Sequence, residues 1–313
     1  MEYKEMVYSP APVVTPQGEA TQDMVRTISG NISHELFLNE FVKKGKPVLL
    51  KGAVADWHAS KHWDMEYFKH LPTDPLLSVK KATIVEGETE KIHLSDYVRL
   101  LETCSQPGAA TTKPPYLHDV AMFGIIPELT NDVSSPIIKN YLPAFYHEHW
   151  WKYVQFFMSI KGHITPLHFD TLITHNLFFQ VKGKKRFTLI DASQRNDCYM
   201  KKWRWAQVDP KAPALDKYPA YAKVTPMVVE VEGGDILYMP AGMLHHVESL
   251  GFSISFNIDW HSRRSVLKGM LSRLKGSPTE NLRYNFLLFL AIWCKVPEKY
   301  IWPYYKSYLN YIS

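Results

Sequence analysis

Between about residues 150 and 260 the sequence breaks into short apolar runs at 153–160, 177–181, 186–190, 227–231, 235–239 and 253–258, separated by Gly, Pro and Asp. Several short strands with turn signals at this spacing argue for a β-sandwich or barrel. The 313 residues exceed the usual length of one domain, yet a single β-barrel carrying helical additions reaches that size. Hydrophobic residues make up 46% and charged residues 21%, which excludes a disordered chain. Nine Trp and eighteen Tyr suit a large core together with a lined pocket.

There is no internal repeat. Residues 1–32 read as an N-terminal arm, and the Pro, Thr and Gly of 1–30 predict that it is loosely held. From Ser33 the chain reads Ser-His-Glu-Leu-Phe-Leu-Asn-Glu-Phe, a short capped helix with Leu36, Phe37 and Phe41 on one side. A buried strand at 47–52 ends at Gly52. The Trp57 to Trp63 segment then leads into a helix at 65–71, a strand at 77–84 and a helix from Ser95. A Pro/Gly/Thr-rich loop at 105–115 ends at Tyr116.

Residues 33–260 are expected to form one catalytic unit, and 261–313 a helical extension. Ser277-Pro278-Thr279-Glu280 reads as a capping box, with Ser taking an orphan helix N–H and Glu reaching back. After Pro297 an aromatic stripe of Tyr300, Tyr304, Tyr308 and Tyr311 runs at helical spacing, and Ile301, Tyr305, Leu309 and Ile312 supply a second apolar face. A terminal helix apolar on two faces must bury both, so a homodimer through this extension is expected.

Met1 to Pro10 carry no basic segment followed by an apolar stretch, so no secretory signal is expected. The longest apolar stretch, 286–294, is about half of the roughly 20 residues a membrane helix needs. Three cysteines, at 104, 198 and 294, are odd in number and far apart, which fits a reducing cytoplasm. The formal charge of +5 is mildly basic, and Lys184-Lys185-Arg186 and Arg263-Arg264 are short clusters. A nucleic-acid footprint would need a wider patch, so neither nucleic acid nor membrane is an expected partner.

The chemistry concentrates in two strings. The first is Gly162-His163-Ile164-Thr165-Pro166-Leu167-His168-Phe169-Asp170. On a strand, residues i and i+2 share a face, so His168 and Asp170 aim the same way. The second runs from Gly234 through Pro240-Ala241-Gly242 to His245, a strand, a turn and the start of the next strand. If these strands face each other across a barrel, the three side chains converge. Two imidazoles and one carboxylate on one face of a metal leave positions open, the arrangement of non-haem iron(II) oxygenases. Among the other histidines, His175, His163 and His246 read as non-ligands, while His118 shares its period-two face with Tyr116.

With these residues the chain resembles the JmjC-domain, cupin-like hydroxylases, a group that includes the hypoxia-inducible-factor asparaginyl hydroxylase and bacterial cupin-like relatives. The resemblance runs over residues 34–260. It is carried by 46–52, Thr165-Pro166-Leu167-His168-Phe169-Asp170, 176–186, 217–221, 234–240 and 245–250, and by Asn257-Ile258-Asp259-Trp260. It implies a double-stranded β-helix (cupin or jelly-roll) barrel, mainly β, with N-terminal α/β elements and a C-terminal helical extension.

The resemblance further implies Fe(II), 2-oxoglutarate and O2. It assigns Lys185 to the distal carboxylate of 2-oxoglutarate, a charge-assisted hydrogen bond. Strand periodicity alone leaves open whether Lys184 or Lys185 points inward. Thr165 and Tyr116 are implied as hydroxyl partners of the same carboxylate, and Asn176 and Asn257 as amides beside the cosubstrate or metal ligands. Six positions separate Asp170 from Asn176, two more than in the asparaginyl hydroxylase, and this insertion is expected on the substrate side of the metal.

The implied reaction is hydroxylation of an amino-acid side chain in a protein or peptide. The alternatives are hydroxylation of a small metabolite and a non-catalytic cupin-type binding module. N-methyl-lysine demethylation ranks lower, since no chromatin-reading module fits in the chain. Metal-binding cupins outside this group usually show His-x-His and a later Glu, whereas this chain shows His-x-Asp with no matching Glu.

Overall fold

The computed structural model describes residues 24–81, 84–85, 87–106 and 113–308. In chain order their strands are β1 (Arg26–Ser29), β2 (Val48–Lys51), β3 (Leu76–Lys80), β4 (Thr89–His93), β5 (Leu117–Val120), β6 (Val154–Ser159), β7 (Ile164–His168), β8 (His175–Lys182), β9 (Lys184–Ile190), β10 (Met200–Lys201), β11 (Trp205–Ala206), β12 (Met227–Glu232), β13 (Asp235–Met239), β14 (Leu244–Ser249) and β15 (Ser253–Trp260). Seven form one sheet in the order β1-β2-β13-β8-β15-β6-β5, and six form another in the order β10-β11-β7-β14-β9-β12. These facing sheets are the jelly-roll barrel that the motifs imply, and β3 and β4 pair apart from them.

Alternation along the strands divides the core in two. On β8, Leu177, Phe179 and Val181 face outward, into a large cluster with the helical layer, while Phe178 faces inward with Phe187, Leu237 and Met239. This period-two division is what a sheet covered on both faces requires. Trp57 stacks on Phe179 and Phe256 at 5.5 and 6.2 Å, and Trp63 is fully buried, its indole N–H donating to Asp132 at 2.8 Å. The two tryptophans thus tie the N-terminal helices to the back of the seven-stranded sheet.

Gly183 makes the turn from β8 to β9. It holds φ +76°, and a Cβ there would lie 1.9 Å from the Phe252 carbonyl oxygen, so only glycine fits. This turn sets the register of β9 and settles the question of the two lysines. Lys184 points outward to Glu230 and Glu232, and Lys185 points into the barrel.

Several expectations need correction. Residues 26–29, read as part of a loose arm, pair parallel with β2 and extend the seven-stranded sheet; residues 1–23 of that arm lie outside the described residues. The segment after Ser33 is only briefly α-helical (His34–Leu36) and continues as a π-helix over Phe37–Val42, which still buries Phe37 and Phe41. The Ser277 capping box does not form. Ser277 Oγ is bonded instead to Ser272 Oγ at 2.9 Å, and the helix Thr279–Ile292 starts behind Pro278 without a side-chain cap. A box does form between Ser262 and Ser265, at the start of the helix Arg263–Leu271.

The tyrosine stripe also divides. Ile301 and Tyr305 in the helix Glu298–Tyr305, and Tyr308 just after it, are buried, whereas Tyr300 and Tyr304 are 59% exposed. Tyr311, Leu309 and Ile312 lie outside the described residues.

Candidate metal centre

β7 and β14 do not face each other across the barrel, as expected from the two strings. They are antiparallel neighbours in one sheet, with His168 directly opposite His245. Direct cross-strand pairing brings their rings to 4.2 Å between centroids, the close approach such pairs allow. Asp170 lies two residues beyond the end of β7, and its Oδ1 stands 3.9 Å from His245 Nε2. One donor atom from each of His168, Asp170 and His245 lies within 4.8 Å of the others.

The imidazoles are prepared as ligands. His168 Nδ1 lies 2.8 Å from the Pro166 carbonyl, and His245 Nδ1 3.3 Å from the Met243 carbonyl. A carbonyl oxygen only accepts, so each Nδ1 carries the hydrogen and each Nε2 keeps its lone pair for a metal. Burial, and then the neighbouring His245, hold His168 well below the usual histidine range, keeping the ring neutral. This donor set of two imidazoles and one carboxylate fits iron(II) with positions left for other ligands. The turn leading into β14 needs Gly242, which holds φ +81°.

The cluster forms one wall of a cavity of about 520 Å³ including its open mouth. Lys185 marks another part of the same cavity. It is 1% exposed, and its ammonium lies 2.9 Å from Ser255 Oγ and 3.3 Å from Tyr116 Oη. Burial pushes it down to about 7, with only a distant pull from Asp119 in the other direction. A buried ammonium without an ion-pair partner is costly, and a carboxylate placed there would relieve the cost. Thr165 and Tyr116 line the same cavity, so the residues present fit a dicarboxylic 2-oxo acid.

Asn176 on β8 and Asn257 on β15 enter from the opposite sheet. Both donate to Asp259 Oδ1, at 3.0 and 2.9 Å, and Asn176 also reaches Asp170 Oδ2 at 3.3 Å. Burial, and then the nearby Asp170 and Asp119, raise Asp259 well above the usual carboxylate range. The Oδ1 atoms of both asparagines are buried without a partner, leaving two acceptors at the cavity wall.

A match to the Cupin-like domain family covers residues 33–265. The chain belongs to that family. Among its relatives, Jumonji C domain-containing protein 5 of Drosophila melanogaster is 26% identical, over 79% of this chain and 63% of its own length. The bifunctional peptidase and (3S)-lysyl hydroxylase JMJD7 of Homo sapiens is 24% identical, over 78% of this chain and 86% of its own. The tRNA wybutosine-synthesizing protein 5 of Homo sapiens is 32% identical, over 73% of this chain and 75% of its own. The chain spans only 51–57% of the length of several other curated relatives. The resemblance to JmjC-domain, cupin-like proteins is thereby borne out.

Of the four other histidines weighed from the sequence, three stand away from the metal cluster and one lines the cavity. His175 is bonded to Tyr238 Oη and Ser262 Oγ at 2.8 and 3.0 Å, and His163 accepts from Ile160 N–H and stacks on Tyr116. His246 is buried away from the cavity, whereas His118 lines it.

The insertion at 171–175 differs from expectation. None of its residues lines the cavity, and Thr171, Leu172 and Thr174 are buried. The Thr171 carbonyl accepts from Trp203 Nε1 at 3.0 Å and from Asn281 Nδ2 at 2.8 Å, so the segment is clamped between the β10–β11 connection and the helix Thr279–Ile292.

Further cavity residues, among them Asp119, Arg204, Asp259 and Tyr308, are not assigned to the site by the sequence. Period-two alternation from Asn257 finds Asp259. Nothing local marks Tyr308, whose place in the wall depends on how the last helix docks.

Proposed function

We propose that the chain is an Fe(II)- and 2-oxoglutarate-dependent oxygenase that hydroxylates an amino-acid side chain of a protein or peptide. The observation that carries this reading is one cavity holding both the His168, Asp170, His245 cluster and the buried ammonium of Lys185, which has no ion-pair partner among the described residues. When bound, iron(II) with 2-oxoglutarate supplies oxidation of a C–H bond by O2, releasing succinate and carbon dioxide.

The chain's own residues bind, orient and exclude. Lys185, Thr165 and Tyr116 grip the distal carboxylate, and the charge at Lys185 fixes which end of the dicarboxylate lies deepest. Asn176 holds the Asp170 carboxylate on one side through its amide N–H. Phe178, Phe187 and Val247 in the wall keep bulk water from the deep end.

Incubation with iron(II) and 2-oxoglutarate should release succinate, and His168→Ala should abolish the release. Turnover that survived in that variant would remove the site assignment. Mass spectrometry of cell-extract peptides should then find products heavier by one oxygen atom with the wild type only.

A second substrate reading has its own support. The tRNA wybutosine-synthesizing protein 5 of Mus musculus and of Homo sapiens are 31% and 32% identical to this chain. Arg204 in the cavity wall lies over the Trp205 ring at 4.6 Å, and Lys201 and Lys202 precede it in the chain, a basic and aromatic combination of the kind single-stranded nucleic acid uses. The same oxygen-transfer assay on tRNA nucleosides separates the two readings. A small metabolite would be favoured if neither polymer gained oxygen.

The reading includes a homodimer through the C-terminal helices and a reducing, cytoplasmic setting. Leu271, Leu274, Phe286, Tyr300 and Tyr304 support the first, being apolar side chains 47–85% exposed in that region. Three unbonded cysteines support the second. No helix among the described residues is long and apolar enough to cross a membrane.

A further inference from the structure

Strand β5 does not run evenly along β6. Its register slips between Leu117 and Val120, and the residues in the slip are His118 and Asp119. Asp119 sits at φ +60°, a left-handed conformation that side-chain-bearing residues avoid and that Asp and Asn tolerate best. Bulges of this kind re-aim side chains. Here both residues are buried, at 5% and 8% exposure, and both line the metal cavity.

The His118 ring is held by edge contacts with Tyr116 and Phe157, each at 4.9 Å between centroids. Its Nδ1 lies 3.0 Å from Asp119 Oδ2, an ion-pair contact whose N–H is not aimed squarely at the oxygen. Its Nε2 lies 3.2 Å from Thr165 Oγ1. Burial opposes ionisation of Asp119, yet the neighbouring His118, Arg204 and Lys80 side chains together hold its carboxyl below the ordinary value.

The consequence lies at Thr165. With the Asp119 carboxylate 3.0 Å away, a hydrogen on Nδ1 is favoured over a lone pair, which the carboxylate would repel. If the ring is neutral, Nε2 accepts the Thr165 hydroxyl hydrogen, and Oγ1 turns lone pairs toward the cavity. If the ring is an imidazolium, Nε2–H donates to Oγ1 and the hydroxyl hydrogen is free to point into the cavity. An ionised Asp119 favours the imidazolium, and only that state presents a donor to an incoming carboxylate.

We propose that Asp119, acting through His118, fixes the Thr165 hydroxyl as a hydrogen-bond donor to the distal carboxylate of 2-oxoglutarate. Asp119 and His118 are positioning residues, and the proposal rests on the oxygenase reading above. A packing role alone would leave cosubstrate affinity indifferent to the Asp119 charge.

The test is calorimetric titration of 2-oxoglutarate into the Mn(II)-loaded chain without oxygen. Asp119→Asn keeps a residue that tolerates the left-handed backbone and removes the charge. It should weaken 2-oxoglutarate binding about tenfold and leave Mn(II) affinity unchanged. In a Thr165→Val background the same substitution should cost nothing further, because its route is gone.

Wild-type affinity in Asp119→Asn, or an equal loss in both backgrounds, would overturn the relay. Should that variant fail to fold, the nitrogen chemical shifts of His118 in the wild type decide instead. An imidazolium in the 2-oxoglutarate complex supports the relay, and a neutral ring refutes it. A wild-type chain that does not bind 2-oxoglutarate at all refutes the oxygenase reading itself, a distinguishable result.

Discussion

Lys185 Nζ stands 2.9 Å from Ser255 Oγ inside the barrel, and no carboxylate among the described residues forms an ion pair with it. Its ammonium is pushed down to about 7 from an ordinary 10.5 by burial. Between those values the unfolded chain binds a proton that the folded chain does not. This group therefore makes stability rise as pH increases from about 7 toward 10.5.

An anion bound beside Lys185 restores its proton. Binding of 2-oxoglutarate at pH 8 should take up close to one proton, measurable by calorimetry in buffers of different ionisation enthalpy. Lys185→Met should abolish binding while raising the apo-protein Tm by a few degrees, since an apolar group replaces a buried unpaired charge. A lower Tm would contradict this account of the site.

Metal should stabilise the fold only through the cluster. At a Mn(II) concentration about 100 times its Kd the wild type should gain about 2.7 kcal/mol, reversed by chelator. Asp170→Ala and His245→Ala should show no such gain in thermal unfolding.

Gly183→Ala puts a methyl group against the Phe252 carbonyl at a positive φ. The β8–β9 turn must shift, with an expected loss of about 2–4 kcal/mol in denaturant unfolding. Weaker 2-oxoglutarate binding should accompany it, because the turn aims Lys185.

Asn281→Ala removes two hydrogen bonds, to the Thr171 carbonyl and hydroxyl, at 2.8 and 3.2 Å. The expected cost is about 1–3 kcal/mol of stability from the buried carbonyl left with fewer donors. Hydrogen exchange at 171–175 should speed up, while iron binding persists. Unchanged exchange there would show that Trp203 alone holds the segment.

Light scattering should give the mass of two chains for the wild type. Leu274→Asp together with Tyr300→Asp should reduce it to one. Leu274 is 85% exposed, so loss of folding is not the expected outcome.

The barrel was legible because its strands alternate and because glycine and proline punctuate them. His168 was readable from its strand and His245 from the turn before it, whereas Asp170 lies past the end of β7, where i, i+2 alternation no longer fixes a face. Their convergence across the barrel was not readable, since neighbour order in a sheet is a tertiary fact; β7 and β14 proved to be adjacent. Lys185 over Lys184 depended on the register set by Gly183, which period-two counting cannot supply. Asp119 was hidden by a bulge, which breaks the very alternation used to read strands. The capping box at Ser277 failed because Ser272 competes for the same hydroxyl.

Tyr308 lines the cavity from beyond the last helix, packed beside Tyr284 and Tyr305. Among the described residues of the wall it comes last in the chain. The candidate metal ligands His168, Asp170 and His245 all precede the C-terminal helices in the chain. A chain ending before Tyr308 would leave that side of the proposed 2-oxoglutarate chamber open.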